Sequence, residues 1–236
     1  MKEFIDKVIL VTGPAGNLGS AVVNNFLANG ASLVLLDRHP DRLGKLFPSL
    51  ALSDHLLVPD LDLTDFESVN KAVEKAISIF GQIDCLVHTA GGFSMGEQVH
   101  EITAENWDRL MQLNVTTLLN ITKAVVPHMT NKKAGSIVTI GARPSLSGKA
   151  KMGAYSVAKS AVLRLTESMS AELKSHGINA NCILPGTINT PDNRKAMPNV
   201  DTSHWVSPES LAEVISFLCS PSAKDIHGEA IPVFGA

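Results

Sequence analysis

Seven short runs of branched apolar residues, at 8–12, 32–37, 55–58, 83–88, 136–140, 178–183 and 230–233, alternate with longer segments whose apolar residues recur every three or four positions. The longer segments lie at 17–29, 66–80, 103–129, 152–176 and, more briefly, 207–219. Unbroken runs such as VILVT and SLVLL lack the in-out alternation of a half-exposed strand, so both of their faces must be covered. Buried strands separated by amphipathic helices are returned by right-handed crossovers. The expected fold is therefore α/β, three layers and doubly wound, with a seven-stranded parallel sheet. No repeat or linker interrupts residues 1–236, and one domain is expected. The one long irregular segment, 184–206, falls between the sixth strand and the last helix, where a segment of that length covers a site more often than it merely connects.

A chain of 236 residues, 44% hydrophobic and 18% charged, can bury one sizeable core. Its 20 Lys and Arg and 23 Asp and Glu form no long run of one sign, which argues against nucleic acid or an anionic membrane and for a small-molecule partner. Cys85, Cys182 and Cys219 stand singly, without a CxxC pair or a histidine cluster. No metal site is expected from them, and buried free thiols in a reducing cytoplasm are. The N-terminal MKEFIDKVILVTG carries acids and its apolar run stops at a glycine, the pattern of neither a signal peptide nor a membrane span.

VILVTGPAGNLGSAV links the first strand to the first helix. Gly13, Gly16 and Gly19, with Asn17 and Leu18 between them, offer a tight turn, close backbone approach and a helix N-terminus, the combination that seats a pyrophosphate. Asp37 closes the second strand about twenty residues on, where a carboxylate accepts both hydroxyls of an adenosine ribose and repels a 2′-phosphate. Arg38 follows and could pair with such a phosphate, so NAD is expected and NADP is the lesser alternative. Tyr155 and Lys159, four apart in YSVAK, share one helix face. A phenol of ordinary pKa near ~10 beside an ammonium is drawn toward phenolate, so the pair is a candidate acid/base.

Six motifs in order make the chain similar to the short-chain dehydrogenases/reductases: TGPAGNLG, DLTD at 62–65, HTAG at 88–91, LNV at 113–115, YSVAK at 155–159 and LPGTINT at 184–190. The resemblance implies a Rossmann fold and an NAD(H)-dependent oxidoreductase. It implies that Asp62 and Leu63 hold adenine, that Ala90 and Gly91 line the cofactor, and that Asn114 organises a helix kink and a water relay. Tyr155 is then the general acid/base, and Lys159 bonds the nicotinamide ribose while lowering the tyrosine's pKa. Pro185, Gly186, Ile188 and Thr190 contact the carboxamide, under a lid at 185–206. Plainer readings stand beside these: Asp62 as a helix cap, Asn114 as a buried amide, and His88, which replaces the first asparagine of NNAG, as a core histidine.

The family's catalytic serine lies thirteen residues before the tyrosine, and Ala142 occupies that position. Ser145 and Ser147 are near enough in sequence to be suspected as replacements. Dihydropteridine reductases within the family also carry alanine there, and their lid pattern TPxNRKxMPxxDxSxW is similar to TPDNRKAMPNVDTSHW at 190–205. Two departures stand against it: Phe93 replaces their tryptophan, and the C-terminus ends like a general family member's last strand. Met197 and Trp205 either pack the lid or touch substrate. The expected chemistry is hydride transfer with a small carbonyl, alcohol or imine-type substrate, in a homodimer or homotetramer formed through the helices at 103–129 and 152–176. The alternatives are a catalytically weak NAD-binding sensor or scaffold and, more remotely, a hydrolase or epimerase.

Overall fold

The structure is a computed structural model, and it describes residues 2–48, 50 and 54–235. Seven parallel strands form one sheet in the order β3-β2-β1-β4-β5-β6-β7. They are β1 (Val8–Thr12), β2 (Ser32–Leu36), β3 (Leu56–Val58), β4 (Cys85–His88), β5 (Gly135–Ile140), β6 (Ile178–Pro185) and β7 (Ala230–Val233). The order reverses beside β1, and the crevice at the carboxyl ends of β1 and β4 is where doubly wound sheets take ligands.

Alternate residues of each strand enter opposite layers, as the two-residue strand period requires. Ile9, Val11, Leu33 and Leu35 pack on one side with Val22 and Phe26 of α1 (Asn17–Ala28) and Leu211 and Ile215 of α8 (Pro208–Cys219). Leu10, Val34, Leu36 and Leu86 pack on the other, against Val69 and Val73 of α3 (Phe66–Phe80) and Ile121 and Val125 of α5 (Thr117–Lys132). Each of these fully buried side chains contributes roughly 1.5–3 kcal/mol. The three cysteines are free and buried, as expected. Among the described residues no helix is long and apolar enough to cross a membrane, and no group of His, Cys, Asp and Glu could hold a metal ion.

Three elements depart from the expected ones. The long helix expected at 103–129 is two, α4 (Ala104–Met111) and α5, joined by one π-helical turn at Gln112–Thr116 that contains Asn114. Such a turn preserves the apolar periodicity on either side, which hides it from pattern reading. A helix α2 (Pro40–Leu46) follows β2, and α7 (Pro191–Ala196) lies inside the segment expected to be irregular. Both are short and begin with proline, and neither is long enough for a 3.6-residue period to stand out. The remaining long helix, α6 (Gly153–Leu173), carries Tyr155 and Lys159.

Candidate active site

β1 runs into Gly13, whose φ of 68° lies in the left-handed region; a Cβ there would also stand 3.0 Å from the backbone of Ala90. Gly16 begins α1 without any side-chain cap, so the first-turn amides remain available to an anion. At Gly19 an added Cβ would collide with the carbonyl of Gly13 and approach Pro14 Cα to 2.9 Å. Gly19→Ala is therefore expected to displace the turn and weaken NADH binding about tenfold or more, checked by fluorescence titration; unaltered affinity would show that this turn does not seat the cofactor. Leu18 is buried in the core, so only its backbone can reach a ligand. Asn17 Nδ2 donates instead to Asp192 Oδ2 of α7, at 3.3 Å, tying the turn to the lid.

From this turn a cleft of about 260 Å³ opens along the carboxyl ends of β1, β2 and β4. Gly13, Gly16, Asp37, Arg38, Asp62, Leu63, Ala90 and Gly91 line it, as the sequence led us to expect. Asp37 lies just past β2, 6% exposed, with Oδ2 accepting from Ala15 N at 3.0 Å and Oδ1 from His39 N at 2.9 Å. Each oxygen keeps a further lone pair for a ligand hydroxyl. Asp62 does not cap α3; Asp65 does, and Asp62 Oδ1 accepts from the amide and hydroxyl of Thr64, both at 2.8 Å. Ala15, His39, Arg42, Thr89, Leu113 and Thr117 also line the cleft and escaped sequence reading. Arg42 Nη2 donates to Ala15 O at 3.0 Å, and the only hint of it was the basic run DRHPDR.

At the opposite end Lys159 is 6% exposed, and its Nζ donates to Ile140 O at 2.8 Å. Gly91 is its other neighbour: a Cβ at Gly91 would stand 3.2 Å from Nζ and 2.8 Å from Asn114 Oδ1. Burial lowers the Lys159 ammonium to about 8. Asn114 grips Gly92 from both sides, accepting from its N–H at 3.2 Å and donating to its carbonyl at 3.1 Å, with a further bond to Leu110 O at 2.9 Å. Its amide is satisfied by the loop it positions.

Tyr155 packs its ring edge to face on Phe93, centroids 4.9 Å apart. Burial pushes its phenol up to about 12, the reverse of the expected lowering by Lys159. The reason is geometric: the ammonium donates to Ile140 O and faces Gly91, while an apolar shell of Phe93, Ile102 and Ala154 penalises the phenolate. In this state the Tyr155 phenol is protonated at neutral pH.

Ala142 is buried and brings no hydroxyl to the site. Ser145 Oγ accepts from Ala142 N at 3.0 Å, closing a turn that Ser160 Oγ holds onto α6 through Ser145 O, also at 3.0 Å. Ser147 is exposed. Ser156 Oγ is buried with no hydrogen-bond partner among the described residues. In the lid, Thr190 Oγ1 accepts from Asn193 N at 3.1 Å as the cap of α7, and its proton stays free to donate to a ligand. Ile188 bridges to Val206, and a Cβ at Gly186 would meet Phe234 O at 2.6 Å, so the segment from Pro185 to Thr190 is held rigidly between β6 and the C-terminus. None of Tyr155, Lys159, Pro185, Gly186, Ile188 and Thr190 lines the cleft itself; Lys159 stands beside its lining residue Gly91.

Comparison with known proteins agrees with this geometry. The family described as short chain dehydrogenase matches residues 7–201. A 3-oxoacyl-[acyl-carrier-protein] reductase FabG of Thermotoga maritima is 29% identical over 97% of this chain and 96% of its own length. The structure of an NAD+-bound xylitol dehydrogenase superposes with a TM-score of 0.91 at 25% identity, covering 100% of both chains. ElxO with NADP bound superposes at 0.88 and 26% identity over 97% of each chain. With that family's model matching residues 7–201, most of the chain, the protein belongs to the short-chain dehydrogenase family.

Proposed function

We propose that this chain is a cytoplasmic NAD(H)-dependent oxidoreductase acting on a small carbonyl, alcohol or conjugated imine, with a quinonoid pterin the favoured candidate. The observation that carries the reading is one continuous arrangement: an uncapped helix N-terminus and a buried carboxylate at one end, Lys159 against Gly91 at the other, with Tyr155 beyond it. The glycine cradle, which a Cβ at Gly19 would close, and the 260 Å³ cleft fit a dinucleotide. Bound there, a nicotinamide supplies or accepts the hydride. This chain's own residues handle the proton: Tyr155, protonated at neutral pH, donates from Oη to the reduced oxygen or nitrogen, and Lys159 holds positive charge beside it.

Asp37 supports NAD, because its buried carboxylate would oppose a 2′-phosphate. Arg38 and Arg42 on the same rim are the features that would favour NADP. The lid sequence and Ala142 support the pterin-like choice. A delocalised imine needs less help from a fixed hydroxyl than an isolated ketone does, and Ala142 brings none. Two copies would pair through α5 and α6, whose groove is lined by Leu118, Leu119, Val126, Leu165 and Met169.

The test is stopped-flow NADH oxidation against a panel of ketones and quinonoid dihydropterin. Turnover of the pterin is expected in the wild type, with Ala142→Ser raising ketone reduction about tenfold or more and leaving pterin reduction within about twofold. Tight NADH binding without turnover of any substrate would instead favour a sensor. Activity without a change in nicotinamide absorbance would favour an epimerase or hydrolase.

A further inference from the structure

His88 lies at the end of β4, 2% exposed, directly behind the cleft. Its Nδ1 is 2.9 Å from Thr12 Oγ1 on β1, and its Nε2 is 3.4 Å from Thr117 Oγ1 at the start of α5. One assignment of protons satisfies all of the surrounding bonds together. Thr117 Oγ1 donates to Leu113 O at 2.9 Å, so toward His88 it can only accept, and Nε2 must carry the hydrogen. Nδ1 is then a bare lone pair that receives the Thr12 hydroxyl, whose own lone pair receives Ala90 N–H at 3.3 Å. The result is a directed chain from Ala90 through Thr12, His88 and Thr117 to Leu113.

The two ends of this chain are the parts of the site that meet at Lys159. Leu113 sits within the π-turn, next to Asn114, which grips Gly92. Ala90 begins the same loop, and between Ala90 and Gly92 lies Gly91, against Lys159 Nζ. We propose that His88, held as its Nε2–H tautomer, is a positioning residue that spaces the Asn114 turn and the Ala90–Gly92 loop correctly against Lys159. Burial, and after it the positive charge of Lys159, keep the imidazole uncharged, which preserves the bare Nδ1 that the chain requires. The asparagine that NNAG would place here offers a donor and an acceptor on a shorter stem, matching the reach of Nδ1 but not that of Nε2.

The tautomer is read directly by ¹⁵N NMR of the wild-type chain, with Nε2–H expected unchanged from about pH 6 to 9. In His88→Asn and in Thr117→Val, amide exchange at Gly92, which neither residue touches, is expected to quicken about tenfold, while the double variant is no faster than either single one. The kinetic readout rests on the oxidoreductase reading: each single variant lowers kcat about tenfold, His88→Asn with the NADH dissociation constant within about twofold, again without adding in the double variant. An Nδ1–H tautomer, unchanged Gly92 exchange, or additive effects in the double variant would overturn the relay. A wild-type chain that turns over nothing defeats the oxidoreductase reading alone, because the tautomer and exchange results decide the relay without it.

Discussion

Replacing Tyr155 by phenylalanine is expected to lower NADH-dependent reduction by about 10²–10⁴-fold, the usual worth of a positioned general acid. The ring and its edge-to-face packing on Phe93 survive the change, since only Oη is removed. NADH affinity should therefore stay within about twofold and the melting temperature should not fall, so the loss reports proton transfer rather than binding or folding. Single-turnover absorbance at saturating NADH separates the two. A variant that keeps more than about a tenth of wild-type turnover would mean that the proton comes from another group.

Acid should destabilise the chain steeply, and His88 should account for most of the difference between wild type and His88→Asn. In the unfolded chain this histidine titrates at its ordinary value of 6.5, whereas burial and Lys159 lower it to about 3 in the folded chain. Between those values the unfolded state binds a proton that the native state refuses, so native stability is complete above pH 6.5 and is lost as the pH falls toward 3. The loss is about 1.4 kcal/mol per pH unit, on the order of 4 kcal/mol across the interval. His55, also lowered by burial, adds to the slope in both proteins and cancels in the comparison. Urea unfolding at pH 7, 5.5 and 4.5 checks it: equal slopes for the two proteins would mean that His88 accepts a proton without unfolding.

Much of the architecture could be read along the chain. Runs such as VILVT are buried on both faces, so their apolar character is continuous and their number and succession along the chain show directly. The glycine turn and Asp37 were legible because each sits at the end of such a run. Arg42 was not, because its bond to Ala15 O spans 27 residues and depends on α2, a helix too short to leave a periodic trace. The π-turn was hidden because one extra residue in a turn leaves the flanking apolar stripes intact.

For Tyr155 and Lys159 the local rule gave the shared helix but not the electrostatic relation expected between them. Four-residue spacing puts Tyr155 and Lys159 on one face of α6, and it does so here. Whether the ammonium lowers the phenol depends on what else each meets. Ile140 O and Gly91 come to Lys159 from β5 and from the loop after β4, and Phe93 comes to Tyr155 from that same loop. The absence of a serine at 142 was plain in the sequence. That the Ser145 hydroxyl lies on the Ala142 amide became visible only in the tertiary structure.

The sequence by itself determined the succession of strands and helices, the glycine turn, the carboxylate after β2 and the helix that carries tyrosine and lysine. All of these follow from burial and backbone geometry that repeat over a few residues. Only the tertiary structure decided the strand order, the partners of His88, the raised phenol of Tyr155 and the partner of Ser145. The first, second and third depend on groups brought together from distant parts of the chain, and the last on how one turn closes. Proton positions and charge follow from which donors and acceptors meet, which apolar periodicity does not record.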